Sequence, residues 1–272
     1  YNMRIYRPGI WYLNPYLNDT DPSYISQGNS ELDSEKSHAF NLSYSNFTQK
    51  FNINLSARYS FTNNSIENVT KLMPDTEIEG LKNPTGKDVL YSTYANIGKT
   101  RRASVSAYVN WNATPRTRIY MNMSGDYSYM EGSEGMRNDG WSLFAYGGAQ
   151  QTLPHDWRIS LNVFGQTPWI MLQGKGSSFF DYGLSVNKSF LNKRLTLSAF
   201  ASNFFKKYMD QSSTTEGAGF IRESSYKYSR QRFGISVSYR IGELKASVKK
   251  AARTISNDDV KSGGSGSGGG GE

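Results

Sequence analysis

Residues 51–61 alternate strictly between apolar and polar side chains. The apolar set is Phe51, Ile53, Leu55, Ala57, Tyr59 and Phe61, and the polar set is Asn52, Asn54, Ser56, Arg58 and Ser60. Alternation with a period of two predicts a β-strand with two chemically different faces, because successive strand side chains point to opposite sides. The length also suits a membrane strand, since a tilted strand crosses the hydrocarbon core of a bilayer in about 9–11 residues.

The same alternation recurs along the chain and predicts about ten strands. We expect them at residues 1–6, 36–47, 50–73, 88–113, 117–130, 139–153, 157–173, 177–190, 194–208 and 219–240. The apolar sets of the later strands include Val105, Ala107, Val109, Ile159, Leu161, Val163, Ile235 and Val237. Their polar sets include Ser160, Asn162, Ser236 and Ser238.

Short and long connections between these strands alternate along the chain. The short ones lie at 46–50, 114–117, 153–156 and 191–194, and the longer ones at 8–35, 74–88, 131–138, 173–177 and 208–219. Outer-membrane barrels have this arrangement, with short periplasmic turns and longer extracellular loops. The pattern therefore predicts an all-β fold, a transmembrane antiparallel up-and-down β-barrel, with the apolar sets facing lipid and the polar sets facing a wet lumen.

Aromatic residues near the short turns fit this prediction. Phe47, Trp111, Trp157, Phe190 and Tyr239 lie where an interfacial aromatic girdle is expected. The predicted strands 50–73 and 88–113 are too long for one bilayer crossing. We therefore expect their outer ends to form a rigid extracellular extension with both faces in water.

A soluble β-sandwich is the alternative fold, because its strands also alternate. Sandwich strands average only about 5–6 residues, however. A sandwich also does not require alternating turn lengths or aromatic residues at the strand ends. We favour the barrel.

Composition narrows the function classes. Aromatic residues make up 14% of the 272 residues, whereas cysteine is absent, which excludes a disulfide scaffold, thiolate metal sites and a cysteine nucleophile. The mean hydropathy is −0.62, and no run of about 18 apolar residues predicts a transmembrane helix. The net charge is +8, but the basic residues are scattered, so we expect no nucleic-acid partner. Outer-membrane lipid and lipopolysaccharide are the expected surroundings of the barrel.

The end of the chain differs from the rest. Residues 241–272 run through a basic stretch into SGGSGSGGGGE, which has the composition of a flexible linker. We therefore expect a barrel domain at 1–240 and a flexible periplasmic tail, basic and then Gly/Ser-rich, at 241–272.

Residues 7–37 contain a more specific pattern. It resembles a signature of the outer-membrane β-barrel family related to TonB-dependent receptors, in which an R-P element precedes L-N-P and then G-N-P-x-L-x-x-E-x-S. The matching residues are Arg7, Pro8, Leu13, Asn14, Pro15, Gly28, Asn29, Leu32, Glu35 and Ser37. Ser30 stands where the family usually has proline. The resemblance extends to about Val248.

The resemblance implies a larger protein. Such receptors have roughly 22 strands and a plugged lumen, so ten strands match the C-terminal part of the barrel. The plug and the TonB-contacting segment would lie N-terminal to Tyr1, and the implied function is uptake of a small or oligomeric nutrient, energised through TonB. A self-sufficient ten-strand barrel is the alternative to a fragment, and a non-transporting barrel with a scaffold, adhesion or assembly role is the alternative function.

Catalytic and metal sites are not expected. His38 and His155 lie on separate elements without a matching nucleophile, and Asp19 and Asp21 lack calcium-loop spacing, so we predict no enzyme, cofactor or metal. Substrate contacts are expected instead from aromatic residues of the long loops and the upper lumen. The candidates are Trp11, Tyr12, Tyr16, Tyr24, Trp141 and Trp169, with packing at the rim as the alternative role.

Overall fold

A computed structural model describes residues 1–242, 260 and 261, and these residues are predominantly β-strand. The strands are β1 (Asn2–Pro8), β2 (Asn18–Asp21), β3 (Tyr24–Ser26), β4 (Glu35–Phe47), β5 (Phe51–Pro74), β6 (Asp88–Thr114), β7 (Thr117–Glu131), β8 (Arg137–Leu153), β9 (Trp157–Gln166), β10 (Ile170–Met171), β11 (Gly174–Lys175), β12 (Phe179–Phe190), β13 (Leu195–Ser202), β14 (Tyr208–Gly217), β15 (Phe220–Ser229), β16 (Arg232–Tyr239) and β17 (Val260–Lys261). One helix, α1 (Ile10–Leu13), and two short 3-10 helices, Asp75–Glu77 and Ser133–Gly135, complete the elements. Within the described residues, no helix is long and apolar enough to cross a membrane.

Ten strands form one antiparallel up-and-down sheet. Their order in the sheet is β1, β4, β5, β6, β7, β8, β9, β12, β13 and β16, which is also their order along the chain. The predicted number and topology of the strands are confirmed.

Most of the tail predicted for 241–272 lies outside the described residues. The exceptions are 241, 242 and the two residues of β17. The residues of β17 pair in parallel with Arg7 and Pro8 of β1.

Three predicted strand boundaries were wrong. The strand predicted at 157–173 ends at Gln166, the one predicted at 194–208 ends at Ser202, and the one predicted at 219–240 is divided into β15 and β16. The loop predicted at 208–219 is mostly strand β14, which pairs with β15 as a hairpin in a second sheet with β10 and β11. Local alternation cannot distinguish a membrane strand from a hairpin strand, because both have two different faces.

The connections segregate to opposite edges of the ten-stranded sheet. We call one the turn edge, where 48–50, 115–116, 154–156 and 191–194 connect the strands, and the other the loop edge, where 9–34, 75–87, 132–136, 167–178 and 203–231 connect them. The predicted alternation of short and long connections is thus confirmed.

Strand register places like residues on the same face. Leu55 pairs with Tyr44 on one side and Ala107 on the other. On the opposite face Ser56 pairs with Ser106, and their Oγ atoms are 2.6 Å apart. The apolar face is uncovered, with Val105 63% and Ile235 82% exposed. A large exposed apolar surface of this kind indicates contact with lipid or with another protein.

The aromatic residues at the turn edge divide between the two faces. Lys188 lies on the apolar face with its Nζ 5.4 Å from the ring centroid of Trp157 and 5.3 Å from that of Phe190, which suits a membrane interface. Phe47, however, pairs with Asn52 and so lies on the polar face. The predicted girdle position of Phe47 is wrong, because Asn46 occupies the last apolar-face position of β4, opposite Ile53.

Strands β5 and β6 continue beyond their neighbours at the loop edge. Their register shifts between Thr62 and Ile66, and a paired extension follows as far as Pro74 and Asp88. The predicted extension is present, but the expectation that both its faces meet water is wrong. Ile66, Val69 and Thr70 are 2–4% exposed, because the long connections fold over the extension.

Candidate functional site

Three small apolar clusters hold the long connections together at the loop edge. Their buried members are Tyr12, Leu32 and Ile66 in the first, Ile25, Ile78 and Val89 in the second, and Met130, Ile170 and Leu172 in the third. Each cluster joins a long connection to β5, β6 or β7. The loop edge is therefore a packed structure that can hold side chains in fixed positions.

The two halves of the sequence signature hydrogen-bond to each other. Gly28 N–H donates to the carbonyl oxygen of Asn14 at 3.0 Å, and Asn29 N–H donates to that of Tyr12 at 2.6 Å. A Cβ at Gly28 would lie 2.7 Å from the Tyr12 oxygen, so glycine is required for this close approach. Farther along the signature, the Glu35 carboxylate accepts the Ile66 N–H beside the register shift.

The same connection attaches to the free edge of β6. Residues 24–26 pair in parallel with 90–92. Gln27 N–H continues the pairing to the Ser92 carbonyl oxygen at 3.0 Å, and the Asn29 side-chain amide donates to the Tyr94 carbonyl oxygen at 2.9 Å. These contacts cover the otherwise free edge of β6, which would be open to pairing with another chain.

A cavity of about 320 Å³ opens between this connection and the β5–β6 extension. We call it the aromatic–amide cavity. Its lining is Trp11, Asn14, Tyr16, Asn18, Tyr24, Ser26, Gln27, Gly28, Asn68, Ser92 and Tyr94. All of these side chains are uncharged at neutral pH, and the lining combines aromatic rings with side-chain amides and hydroxyls.

Charged and buried groups surround the cavity. Burial, together with the nearby Tyr94 and Glu35, raises the pKa of Tyr12 to about 12, so its hydroxyl stays neutral. The pKa of Asp21 is lowered, chiefly by the Ser23 hydroxyl that donates to it at 2.7 Å and to a smaller extent by Arg222. The Arg222 guanidinium lies 3.9 Å from the ring centroid of Tyr24. Asp21 and Arg222 thus place a carboxylate and a guanidinium at the margin that partly offset each other, while the buried Glu35 lies near Tyr12.

A second depression of about 560 Å³ lies where β9 ends between β8 and β12. Phe144, Phe179 and Tyr182 contribute to its walls, and Lys206 and Asp210 form a 3.8 Å ion pair at its edge. Beside it, the Asp181 carboxylate accepts hydrogen bonds from Arg230 and Asn203. These bonds tie the connection between β13 and β16 to β12.

Gln173 joins the second sheet to the extension. Its side-chain oxygen accepts the Thr70 N–H at 2.7 Å, and its amide nitrogen donates to the Thr70 carbonyl oxygen at 2.9 Å. We expect Gln173→Ala to weaken the loop edge by about 1–3 kcal/mol, because two buried backbone groups lose their partners. Amide hydrogen exchange across residues 68–72 should accelerate, whereas the exposed Gln49→Ala at the turn edge should change nothing. Unchanged exchange in Gln173→Ala would show that the contact is dispensable.

Asp75 makes the connection 75–87 sensitive to acid. Its carboxylate accepts the Thr85 N–H at 2.6 Å, the Thr85 hydroxyl at 2.8 Å and the Gly86 N–H at 2.8 Å. The Thr85 N–H is the largest cause that lowers the pKa of Asp75 below 3.8. Because the pKa of Asp75 is lower in the folded protein than in the unfolded chain, its ionised carboxylate stabilises the folded connection at every pH above the unfolded-state pKa. This stabilisation is lost as the pH falls through the folded-state pKa.

A fluorophore at the exposed Lys82→Cys position can report this transition. Its anisotropy should stay high until the pH falls below 3.8 and then decrease as Asp75 takes up a proton. Adding Asp75→Asn should keep the anisotropy low at every pH, because the amide cannot accept all three hydrogen bonds as a carboxylate does. A midpoint at or above 3.8 would contradict the prediction.

The predicted substrate residues are distributed over several places. Trp11, Tyr16 and Tyr24 line the aromatic–amide cavity, whereas Tyr12 is buried beneath it in the first apolar cluster. Trp141 lies on the apolar face against Tyr127, with ring centroids 5.5 Å apart, and Trp169 packs close to Gly176. Sequence reasoning did not find Asn68, Ser92 and Tyr94 as lining residues, because only the long-range pairing of β3 with β6 brings them to the loop.

The two histidines lie at opposite edges of the large sheet, His38 in β4 near the loop edge and His155 in the connection 154–156 at the turn edge. His38 stacks on Phe61, with ring centroids 4.9 Å apart, and the Tyr1 hydroxyl lies 2.7 Å from its Nδ1. Across residues 1–242, no group of three His, Cys, Asp or Glu side chains is placed to hold a metal ion. Three of the six predicted substrate residues line the aromatic–amide cavity and none lines the larger depression, so the aromatic–amide cavity is the best candidate for a binding site.

The comparisons with known proteins agree with the fold. A family model described as "Outer membrane protein beta-barrel family" matches residues 1–239, which include all ten strands of the large sheet. Comparison with curated proteins found no match. The chain belongs to the outer membrane protein β-barrel family and is an integral protein of the outer membrane.

Proposed function

We propose that this chain forms the C-terminal part of a larger barrel similar to TonB-dependent receptors, and that the whole barrel takes up a nutrient across the outer membrane. The observation that carries the proposal is the open sheet. Among the described residues, β16 has no partner on its outer edge and β1 has only the two residues of β17. An unpaired backbone group in lipid costs several kcal/mol, so membrane sheets close. Further strands of the same protein would supply the missing partners.

The number and direction of the strands support the same proposal. The ten strands alternate in direction, and their turn edge corresponds to the periplasmic side of outer-membrane barrels. A barrel of about 22 strands would enclose a plugged lumen. The resemblance of residues 7–37 to the receptor-related signature points in the same direction.

In this proposal the role of the chain is containment and not catalysis. The apolar face contacts lipid and, near the loop edge, lipopolysaccharide. The polar face lines the path of the nutrient, while a plug gates that path and TonB supplies energy through an N-terminal segment of the whole protein.

Binding to TonB tests the proposal directly. We expect the full-length protein that contains this chain, purified in detergent, to bind the periplasmic domain of TonB on a biosensor, and a porin from the same membrane to give no signal. Absence of binding by the full-length protein would overturn the transport proposal.

The second candidate is a non-transporting barrel with a scaffold, adhesion or assembly role. The packed β5–β6 extension favours it, because a rigid structure beyond the membrane can present a surface to a partner. A full-length protein that does not bind TonB but retains a partner protein after cross-linking in whole cells would support this candidate instead.

A further inference from the structure

We infer that the aromatic–amide cavity binds a neutral carbohydrate. This inference names a substrate class for the proposed uptake function and rests on that function for its role as a capture site at the extracellular rim. Binding itself can be measured independently of uptake. Three features of the cavity carry the inference: its exposed rings, its hydrogen-bonding groups and its lack of charge.

Two rings in the lining lie open to solvent. Trp11 is 68% exposed and Tyr16 is 70% exposed. They belong to one short segment around α1, next to the backbone contacts that Gly28 makes with Asn14. Large aromatic side chains at a cavity provide a flat apolar surface with a polar group at its edge. A pyranose ring offers the complementary arrangement, an apolar C–H face surrounded by hydroxyl groups.

The amides supply hydrogen bonds of the matching kind. The side-chain oxygen of Asn14 accepts the Tyr16 N–H at 3.1 Å, and that of Asn18 accepts the Thr20 N–H at 3.3 Å. These bonds orient the two amides, and within the described residues their NH₂ groups have no hydrogen-bond acceptor. Oriented NH₂ groups can donate to sugar hydroxyls, which act as both acceptors and donors.

Gln27 fixes the floor of the cavity. Its amide nitrogen donates to the Pro15 carbonyl oxygen at 2.8 Å, and its side-chain oxygen accepts the Tyr91 hydroxyl at 2.8 Å. The cavity is therefore held open by bonds within the protein, and a ligand need not order the loop when it binds. Such preorganisation lowers the entropic cost of binding.

The absence of charge in the lining selects between ligand classes. An ionised ligand would lose hydration without gaining an opposite charge from the lining, which is unfavourable. Asp21 and Arg222 at the margin carry opposite charges that partly offset each other. A volume of about 320 Å³ lies at the lower end of small-molecule sites, about 300–1,000 Å³, and suits a short stretch of an oligosaccharide.

A glycan array tests the inference on the full-length protein. The protein is purified in a detergent without a sugar headgroup and applied to immobilised neutral oligosaccharides and to uronic-acid oligosaccharides of matched length. We expect binding to neutral members, and at least about tenfold weaker binding to the acidic ones. If no neutral oligosaccharide binds, or if the acidic ones bind more tightly, the inference is wrong.

Variants of Trp11 locate the binding site. For the best neutral oligosaccharide, we expect Trp11→Ala to raise Kd about tenfold and Trp11→Phe to keep Kd within about threefold, because the phenyl ring preserves the stacking surface. Ile10→Ala is the matched control, since Ile10 is a neighbouring apolar residue that is 75% exposed and outside the lining. Unchanged affinity in a folded Trp11→Ala protein would overturn the site.

The two proposals fail in different ways. Glycan binding that depends on Trp11, without TonB binding, would leave the cavity intact and remove the transport function. TonB binding together with no neutral glycan on the array would remove the carbohydrate site and leave transport intact.

Discussion

Leu55→Arg is expected to destabilise the folded barrel by about 2–4 kcal/mol, the cost of an arginine on the lipid face at the bilayer midplane. Leu55 lies on the apolar face, midway between Phe51 at the turn edge and Tyr59, and pairs with Ala107. The measurement is urea unfolding of the full-length protein in lipid vesicles, together with the heat-dependent gel shift of the folded barrel.

Asn54→Arg is the matched control on the next residue of the same strand. Asn54 lies on the polar face, and its amide donates to the Ser45 hydroxyl at 2.7 Å. Arg58, on the same face of the same strand, shows that the polar face already accommodates an arginine. We expect only the loss of that hydrogen bond, about 1 kcal/mol. Equal destabilisation by the two substitutions would contradict the assignment of the faces to lipid and lumen.

Gly148→Ala is expected to destabilise the sheet by about 1–3 kcal/mol, as overpacking does in well-packed sites. The Tyr120 side chain crosses β8 over Gly148, and its hydroxyl donates to the Asn162 side chain on β9. A Cβ at Gly148 would lie 2.6 Å from the Tyr120 hydroxyl oxygen and 2.8 Å from Cζ, and would also meet the Leu161 carbonyl oxygen. The backbone contact cannot be relieved by a side-chain rotation.

Gly183→Ala is the control in the same cross-strand row. Gly183 pairs with Asn162, and a Cβ there would meet its nearest atom, the Ser202 Oγ, at 3.4 Å. We expect a change within about 0.5 kcal/mol. Unfolding midpoints in urea distinguish the two variants, and similar midpoints would show that Tyr120 can move away from Gly148 without cost.

The loop edge connects the fold to the proposed function. Gly28 donates to Asn14, and Asn29 donates to Tyr12 and to Tyr94 of β6. The direct effect of these signature residues is to position Trp11 and Tyr16 at the cavity. The signature in residues 7–37 thus has a structural explanation in this chain. It fixes the segment that carries Trp11 and Tyr16.

The sequence by itself determined the number of spanning strands, their order and the two faces of β5 and β6. These features follow from local rules, because a strand alternates with a period of two and a two-sided environment requires that alternation along each strand. The alternating lengths of the connections, also a local feature, determined which ends of the strands lie together.

Only the tertiary structure decided the details that depend on pairing between distant residues. The register of β4 with β5 placed Phe47 on the polar face, and the pairing of β14 with β15 turned a predicted loop and part of a predicted spanning strand into a separate hairpin. The aromatic–amide cavity forms because β3 pairs with β6, residues more than sixty positions apart in the chain. Such contacts depend on which of several compatible edges a strand meets, and alternation within a strand carries no information about that choice.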